Sequence, residues 1–282
     1  MRLNSKKLGI VIVNYNNWPD TVKVLQDLNK NDKTVDFQVV VIDNASRNQN
    51  ELSDKVKQLS LTYKLKLKLN TVNVGFARAV NYGLDYFYKK NYDYFLVLNN
   101  DTSLGVGFIK CLMDKYQTLP SGSILSPVIK HHVGDRVLYG GEGYINPLLA
   151  LAKHRNYRSL KGLRGCKKVE FVSGCCMMFD RVLLDNGVWF DKGFFLYLED
   201  VDFCLQAKKK GFDSYLCFDC VLYHKQSRSF KDPVDKLKYS FVSNLKFGWK
   251  NYKSFIWMWG WFLPLFYFYL YLLWSKQKLK KL

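Results

Sequence analysis

No low-complexity tract interrupts these 282 residues, and 48% of them are hydrophobic, so a folded, enzyme-sized domain with one large core is expected. Acids are scarce: 24 Asp and Glu stand against 43 Lys and Arg, a formal charge of +19. That balance suits a polyanionic partner, whether nucleic acid, anionic lipid or phosphorylated substrate. No nucleic-acid recognition motif accompanies the charge, so nucleic acid is not the expected partner. Near the start, the apolar run Leu8–Val13 gives way at Asn14. It is too short for a signal-peptide core, and the main domain is expected to stay in the cytoplasm. Seven cysteines (Cys111, Cys166, Cys175, Cys176, Cys204, Cys217, Cys220) lie scattered in apolar stretches without the spacing of a disulfide framework. Reduced, buried thiols are expected. Cys217 and Cys220 form one C-x-x-C, but no second pair or His cluster stands near, so they read as strand packing rather than zinc or redox chemistry.

The first hundred residues alternate short β-rich runs with helical patterns. Strands are predicted at Leu8–Asn14, Phe37–Asp43, Leu65–Leu69 and Tyr94–Leu98, with helices at Trp18–Lys30, Glu51–Leu59 and Phe76–Lys89 between them. That rhythm means a parallel sheet covered by helices. Alternating lysines in Lys64–Leu69 predict a strand at a sheet edge with one solvated face. Beyond Asp101 the rhythm breaks into α+β: a helix at Gly107–Tyr116, β-like stretches at Ile124–Lys130 and Val137–Tyr144, a strand at Val169–Met178 and a helix at Val201–Lys210 with acids before it. The basic segment Lys153–Lys168, with Gly162 and Gly165, reads as a mobile loop able to close over a ligand.

From Phe255 to Trp274 no residue carries a formal charge, long enough to span a bilayer. Gly260 and Pro264 interrupt the run, aromatics fill it throughout, and lysines flank both sides (Lys246, Lys250, Lys253; Lys276, Lys278, Lys280, Lys281). A helix lying on an anionic cytoplasmic membrane surface, peripheral or monotopic, fits these features better than a span. The expected division is a catalytic unit at 1–228, with a nucleotide-binding half 1–102 and an acceptor-binding half 103–228, then a membrane-associating extension 229–282.

Chemistry-bearing residues gather after the strands. Asn99-Asn100-Asp101 follows a buried strand at the carboxyl edge where open α/β sheets bind ligands. A lone Asp with neighbouring amides suits a hard divalent ion that completes its shell on a diphosphate; the same residues also suit an Asx turn. Asp43 could accept the imide N–H of a pyrimidine, and Tyr15, after Asn14, could lie along a base or ribose. Gly75 permits close backbone approach at a helix start, and Arg78 could meet phosphate. Glu199, Asp200 and Asp202 crowd three acids into four positions, more than helix capping needs, which raises at least one pKa toward that of a useful base.

In order, the chain carries V-I-V-N-Y-N from Val11, V-I-D-N-A-S from Val41, N-V-G-F-A-R-A-V-N from Asn73, L-N-N-D from Leu98, F-V-S-G from Phe171 and E-D-V-D-F from Glu199. This ensemble, spanning about Leu8 to His224, resembles the family-2 glycosyltransferases, and within them the rhamnosyltransferase-like bacterial members. The resemblance implies a GT-A fold with a Rossmann-like mixed sheet, a nucleotide-diphosphate sugar donor and inversion at the anomeric carbon. It implies donor contacts at Val13, Asn14, Tyr15, Asp43, Asn73, Gly75, Arg78, Asn81, Asn99, Asn100 and Asp101, with Asp43 on the pyrimidine. Asp101 becomes the metal-binding end of the D-x-D element for Mg²⁺ or Mn²⁺, with His224 either a further ligand or a packed strand-end His. Asp200 becomes the base, Glu199 its orienting neighbour, and Ser173, Gly174 and Asp202 the acceptor contacts. Asn99 departs from the stricter D-x-D, and Gln206 stands where many relatives carry Arg.

The implied donor is dTDP-rhamnose, with a UDP-sugar also open, and the implied acceptor is a glycan on a polyprenyl carrier in surface polysaccharide synthesis. Two rivals share the outline. A sugar nucleotidyltransferase would carry a Gly-rich phosphate loop and Lys near its N-terminus, which are absent, and an inactive sugar-nucleotide-binding membrane scaffold would keep the donor site alone.

Overall fold

A computed structural model describes residues 6–31, 34–146, 148–225 and 233–252. In β1 (Leu8–Asn14), Ile10 and Ile12 point to one side of the sheet and Val11 to the other, and all are buried. β2 (Phe37–Asp43) and β4 (Tyr94–Asn99) repeat the pattern, with Val39, Val41, Leu96 and Leu98 on the Ile10 side and Val40, Ile42, Phe95 and Val97 on the Val11 side. Strands apolar on both faces need cover on both, which is why helices flank this sheet. α1 (Trp18–Asn29), α2 (Gln49–Lys57) and α4 (Phe108–Tyr116) cover the Ile10 side. The Val11 side is covered by α3 (Phe76–Tyr88), α5 (Arg181–Asp185), α6 (Glu199–Lys209) and α7 (Pro233–Asn251).

β1 runs parallel to both β2 and β4, and β3 (Lys64–Leu69) lies parallel to β2 at the sheet edge. Its lysine face is only partly solvated: Lys66 Nζ sits 4.2 Å from the Tyr86 ring centre and Lys68 Nζ 5.7 Å from that of Tyr82. The second half converts the sheet to a mixed one. β10 (Cys176–Asp180) inserts antiparallel between β4 and β6 (Ile124–Val133), and β11 (Ser214–His224) runs parallel to β6. β5 (Thr102–Ser103) pairs with the end of β11. β7 (Arg136–Asn146), β8 (Leu151–Tyr157) and β9 (Cys166–Val169) extend the sheet beyond β6 and β11.

Four expectations are corrected. Residues 153–168 are not a loop throughout, because β8 pairs with β7 and β9 with β11. Part of the segment's basic charge is paired: Lys167 reaches both oxygens of the buried Glu142 at 3.0 Å, Arg155 approaches it at 3.4 Å, and the Tyr157 hydroxyl donates to it. The predicted strand Val169–Met178 is split, Val169 ending β9 and Cys176–Met178 opening β10, and the acids of the E-D-V-D run lie inside the first turn of α6 rather than before it. The cysteines are not all reduced: Cys111 on α4 and Cys220 on β11 are joined by a disulfide, since the helix packs on that strand with the two Cα atoms 6.0 Å apart.

The fourth correction concerns the lysines before the aromatic run. Lys246 pairs with Asp191 at 2.9 Å, and Lys250 pairs with Asp191 and Asp202 at 2.7 Å each, so these two cations face carboxylates of the body rather than lipid. α7 is docked further by Ser243 Oγ donating to the Leu196 carbonyl at 2.6 Å and by fully buried Phe247. Among the described residues no helix is long and apolar enough to cross a membrane, and Phe255–Trp274 lies outside them. Replacing Lys250 by Ala leaves fully buried Asp202 with two amide donors, Gln206 and Asn251, and no cation. The expected cost is about 2 kcal/mol of unfolding free energy, read by urea denaturation; Lys250→Arg should recover most of it.

Candidate active site

Three parallel strands end side by side, Asn14 level with Asp43 and Val13 level with Asn99. The fully buried Asp43 carboxylate accepts hydrogen bonds from Asn14 Nδ2 (2.6 Å), Ser46 N (2.9 Å), Ser46 Oγ (2.6 Å) and Gln49 Nε2 (2.7 Å). Asn14 Oδ1 accepts in turn from Thr21 Oγ1 (2.7 Å) and Asn100 Nδ2 (3.1 Å). Asn14, Asp43 and Asn100 thus form one polar network that fixes the strand ends. Val13 and Tyr15 are half-buried at the same edge.

The segment before α3 is held by Asn44, whose side chain donates to Asn73 Oδ1 (2.8 Å) and accepts from the Val74 N–H (3.0 Å). Asn73 Oδ1 also accepts from the Gly75 N–H at 2.9 Å. Gly75 has φ +82°, and a Cβ there would stand 2.7 Å from the Phe195 carbonyl oxygen, so the position requires glycine. That carbonyl accepts from the Phe76 N–H at 2.8 Å, which covers the helix start where an anion was expected. Two residues expected at the donor, Asn81 and Arg78, meet the segment before α6. Both ends of the Asn81 amide are engaged by the Phe190 backbone, and Arg78 Nε donates to the Lys192 carbonyl at 3.2 Å. Arg78 and Asn81 border a cavity of about 960 Å³ shared with Trp189 and Lys250, none of whose lining residues is a strand-end carboxylate. The reason is local: α3 presents these side chains to the loop before α6, which packs against it.

The turn after β4 brings Asp101 to His224. β5 pairs antiparallel with the end of β11, Thr102 level with His224, so His224 Nε2 comes 3.0 Å from Asp101 Oδ1. The Asp101 carbonyl accepts the Lys225 N–H at 3.0 Å, closing the same corner.

Asp200 arrives from the other direction. Tyr197 and Leu198 have φ +70° and +65°, left-handed conformations costing of order 1–2 kcal/mol each outside glycine, and they turn the chain sharply into α6. Half-buried Asp200 accepts from the Gly174 N–H at Oδ2 (2.7 Å) and from the Val201 N–H at Oδ1 (2.8 Å). A Cβ on Gly174 would lie 2.8 Å from the Asp200 Cβ, so the glycine of F-V-S-G is what lets the carboxylate approach. One residue further, the Cys175 carbonyl accepts the Asn99 N–H at 2.9 Å. The turn Ser173-Gly174-Cys175 therefore ties the Asp200 segment to the Asp101 segment.

Glu199 is buried, and its Oε2 has no hydrogen-bond partner among the described residues. Burial first, and then the neighbouring Asp200 carboxylate, push it up to about 8 from the ordinary 4.5. The folded chain holds this proton across the window from about 4.5 to 8, where the unfolded chain has lost it, so stability falls as pH rises through that window. Glu199→Gln should flatten the fall and melt a few degrees higher than the parent at the alkaline end, read by melting temperature against pH. Asp202, an expected acceptor contact, is instead fully buried against Gln206 (2.7 Å), Lys250 (2.7 Å) and Asn251 (3.1 Å). It lies on the inner face of α6, and Lys250 supplies the cation that Gln206 does not.

His154 was not singled out in the sequence. On β8, edge-on to Phe171 at 5.0 Å, its ring is reached by solvent while standing among enough protein for burial to lower its pKa, against the pull of Asp200. Only the placement of β8 shows it; nothing in the basic segment marks it.

Asp101 and His224 offer a carboxylate and an imidazole: the carboxylate suits a hard ion such as Mg²⁺ or Mn²⁺, whereas the imidazole suits Mg²⁺ poorly. Among the described residues no third Asp, Glu, His or Cys joins them to hold a metal, which leaves the rest of such a shell to phosphate oxygens and water.

The model of Glycosyl transferase family 2 matches residues 9–187, more than half of the chain. The chain belongs to family 2 of the glycosyltransferases. Among its relatives is N-acetylglucosaminyl-diphospho-decaprenol L-rhamnosyltransferase of Mycobacterium tuberculosis, 28% identical over 177 residues, covering 56% of this chain and 57% of that protein. The glycosyltransferase thus spans little more than half the length of that relative. Among solved structures it is similar to Staphylococcus aureus TarS 1–349 in complex with UDP, with TM-score 0.54 and 19% identity over 84% of this chain and 64% of that one. It is also similar to the mannosyltransferase PcManGT of Pyrobaculum calidifontis in complex with GDP-Man and Mn²⁺, with TM-score 0.54 and 15% identity over 78% and 57%. These likenesses establish a GT-A-like mixed α/β fold.

Proposed function

We propose that this glycosyltransferase moves a sugar, rhamnose by preference, from a pyrimidine nucleotide-diphosphate donor to a hydroxyl of a polyprenyl-linked glycan in surface polysaccharide synthesis, with inversion. The observation that carries this reading is the Ser173–Cys175 turn, whose backbone touches both the Asp200 carboxylate and the strand end leading to Asp101. Support for sugar and carrier comes from the mycobacterial relative, whose name states both.

Asp200 is held by two backbone N–H groups and takes the proton of the acceptor hydroxyl as that oxygen bonds to the anomeric carbon. The bond from that carbon to the diphosphate breaks on the opposite face, the electron pair leaves with the diphosphate, and configuration inverts. Glu199, already protonated near neutral pH, does not compete for the proton. Asp101 and His224 would hold Mg²⁺ or Mn²⁺, which supplies neutralisation of the leaving diphosphate when bound. Asp43 and its network set the nucleotide end, with Tyr15 beside it. His154 places an imidazole on the acceptor side.

The protein would work peripherally at the cytoplasmic face of a membrane, on the composition of residues 255–282, since Lys246 and Lys250 are already paired. Salt-sensitive binding to anionic liposomes, lost when residues 255–282 are deleted, is the expected result. A screen of dTDP-, UDP- and GDP-sugars for Mn²⁺-dependent rise in melting temperature tests the donor. A rise with dTDP-rhamnose, followed by its transfer to a polyprenyl-diphosphate N-acetylglucosamine, is expected; stabilisation by no pyrimidine sugar nucleotide would sink the reading.

A further inference from the structure

Between Glu142 and Glu170 the chain carries seven Lys and Arg and no acid. Arg155 and Lys167 pair with Glu142, and Lys168 pairs with Asp213 at 2.6 Å. The other four, Lys153, Arg158, Lys161 and Arg164, are exposed and form no ion pair among the described residues. On α3 and α4, by contrast, the exposed Lys89 and Lys110 each stand one helical turn from an acid.

Three of these four cations sit on one ordered turn between β8 and β9. Within it the Leu163 N–H donates to the Leu160 carbonyl at 3.0 Å. Gly165 fastens its end to β11, donating its N–H to Asp219 Oδ1 at 3.1 Å and accepting from the Phe218 N–H at 2.9 Å. Leu160 and Leu163 pack on the small core of Val128, Leu216 and Phe218. The chain thus turns its leucines inward and leaves Arg158, Lys161 and Arg164, at every third position, in solvent. Apolar anchoring, not pairing with acids, holds these charges in place. We propose that this turn docks on the anionic phospholipid headgroups of a bilayer.

A protein partner needs an apolar or aromatic anchor at the centre of its interface, and single-stranded nucleic acid needs exposed rings to stack on. The turn offers neither, because residues 158–165 contain no aromatic and their two leucines are used inside. A headgroup layer needs only cations. Arginine forks match phosphate oxygens, and each cation near an anionic leaflet strengthens binding about fivefold. Since the turn is already ordered, docking costs little conformational entropy. Stable peripheral attachment takes two signals, and the uncharged run 255–274 supplies the apolar one by its composition. This docking rests on the peripheral attachment proposed above and on neither the sugar nor the acceptor.

Co-sedimentation of the full chain with phosphatidylcholine vesicles containing phosphatidylglycerol tests it. Arg158→Gln, Lys161→Gln and Arg164→Gln combined should weaken binding on the order of 100-fold at low salt, and the difference should fade as salt rises. Lys30→Gln, Lys55→Gln and Lys64→Gln combined remove the same charge from exposed positions elsewhere and should stay within about threefold of the parent. Both variants change only exposed side chains, so both should melt within a few degrees of the parent. Equal losses in the two variants, or no loss in the turn variant while the parent binds, would overturn the docking turn and leave peripheral attachment standing. A parent chain that binds no anionic vesicle would overturn both. A loss seen only with neutral vesicles carrying a polyprenyl diphosphate would overturn the headgroup assignment in favour of the carrier's diphosphate. Should the triple variant fail to fold, Lys161→Gln alone, expected to weaken binding about fivefold, carries the same test.

Discussion

Asp200→Asn should lower kcat by 10²- to 10⁴-fold, the usual contribution of a positioned general base, while the affinity for a nucleotide-diphosphate donor stays within about twofold. Both Asp200 oxygens accept backbone N–H groups, Gly174 at 2.7 Å and Val201 at 2.8 Å. An asparagine keeps only one acceptor, so one of those N–H groups loses its partner at a cost of about 1 kcal/mol. That is too small to unfold the domain, and donor binding checks that the site survives. A second readout moves independently of folding. Asp200 is one of the charges holding Glu199 protonated, so Glu199 should ionise at lower pH in Asp200→Asn, and the loss of stability with rising pH should shrink. Unchanged turnover in Asp200→Asn would remove Asp200 as the base; turnover already absent in the parent chain with every donor would favour the inactive scaffold.

Much of the first hundred residues was legible because each signal there is local. A strand apolar on both faces, as in Val39–Ile42, and a glycine before a helix, as at Gly75, need only neighbours in sequence to be read. The second half of the chain was less so because its signals are long-range. Lys153–Lys168 reads as a mobile loop until β8 is paired with β7 and Glu142 stands opposite Lys167 and Arg155, and Asp202 reads as a ligand contact until α7 brings Lys250 and Asn251 onto it. Likewise, three acids in four positions were expected to raise at least one pKa, but only the fold shows Glu199 buried with an unpartnered oxygen and pushed up. The disulfide was missed for the same reason: Cys111 and Cys220 stand 109 residues apart in sequence and meet only when α4 packs on β11.

Asp101 and Asp200 carry unequal arguments, and Asp101→Asn tests the weaker. Asparagine preserves size and can still accept from His224 at the 3.0 Å position, so it removes charge while leaving the turn intact. The carbonyl that accepts from Lys225 belongs to the backbone and is untouched. Should Asp101 only shape an Asx turn, the substitution would cost little, since asparagine serves such turns equally well. Should it face the donor diphosphate through a divalent ion, kcat/KM should fall by on the order of 10²- to 10³-fold, and Mn²⁺ should no longer add to the melting temperature given by UDP or dTDP. His224→Ala should give the same loss of metal-dependent stabilisation. The double variant should be little worse than Asp101→Asn alone, because two groups acting through one ion are not additive. Full additivity of the two substitutions, or metal-dependent stabilisation that survives Asp101→Asn, would make the 3.0 Å contact an ordinary strand-end hydrogen bond and leave the base assignment standing without it.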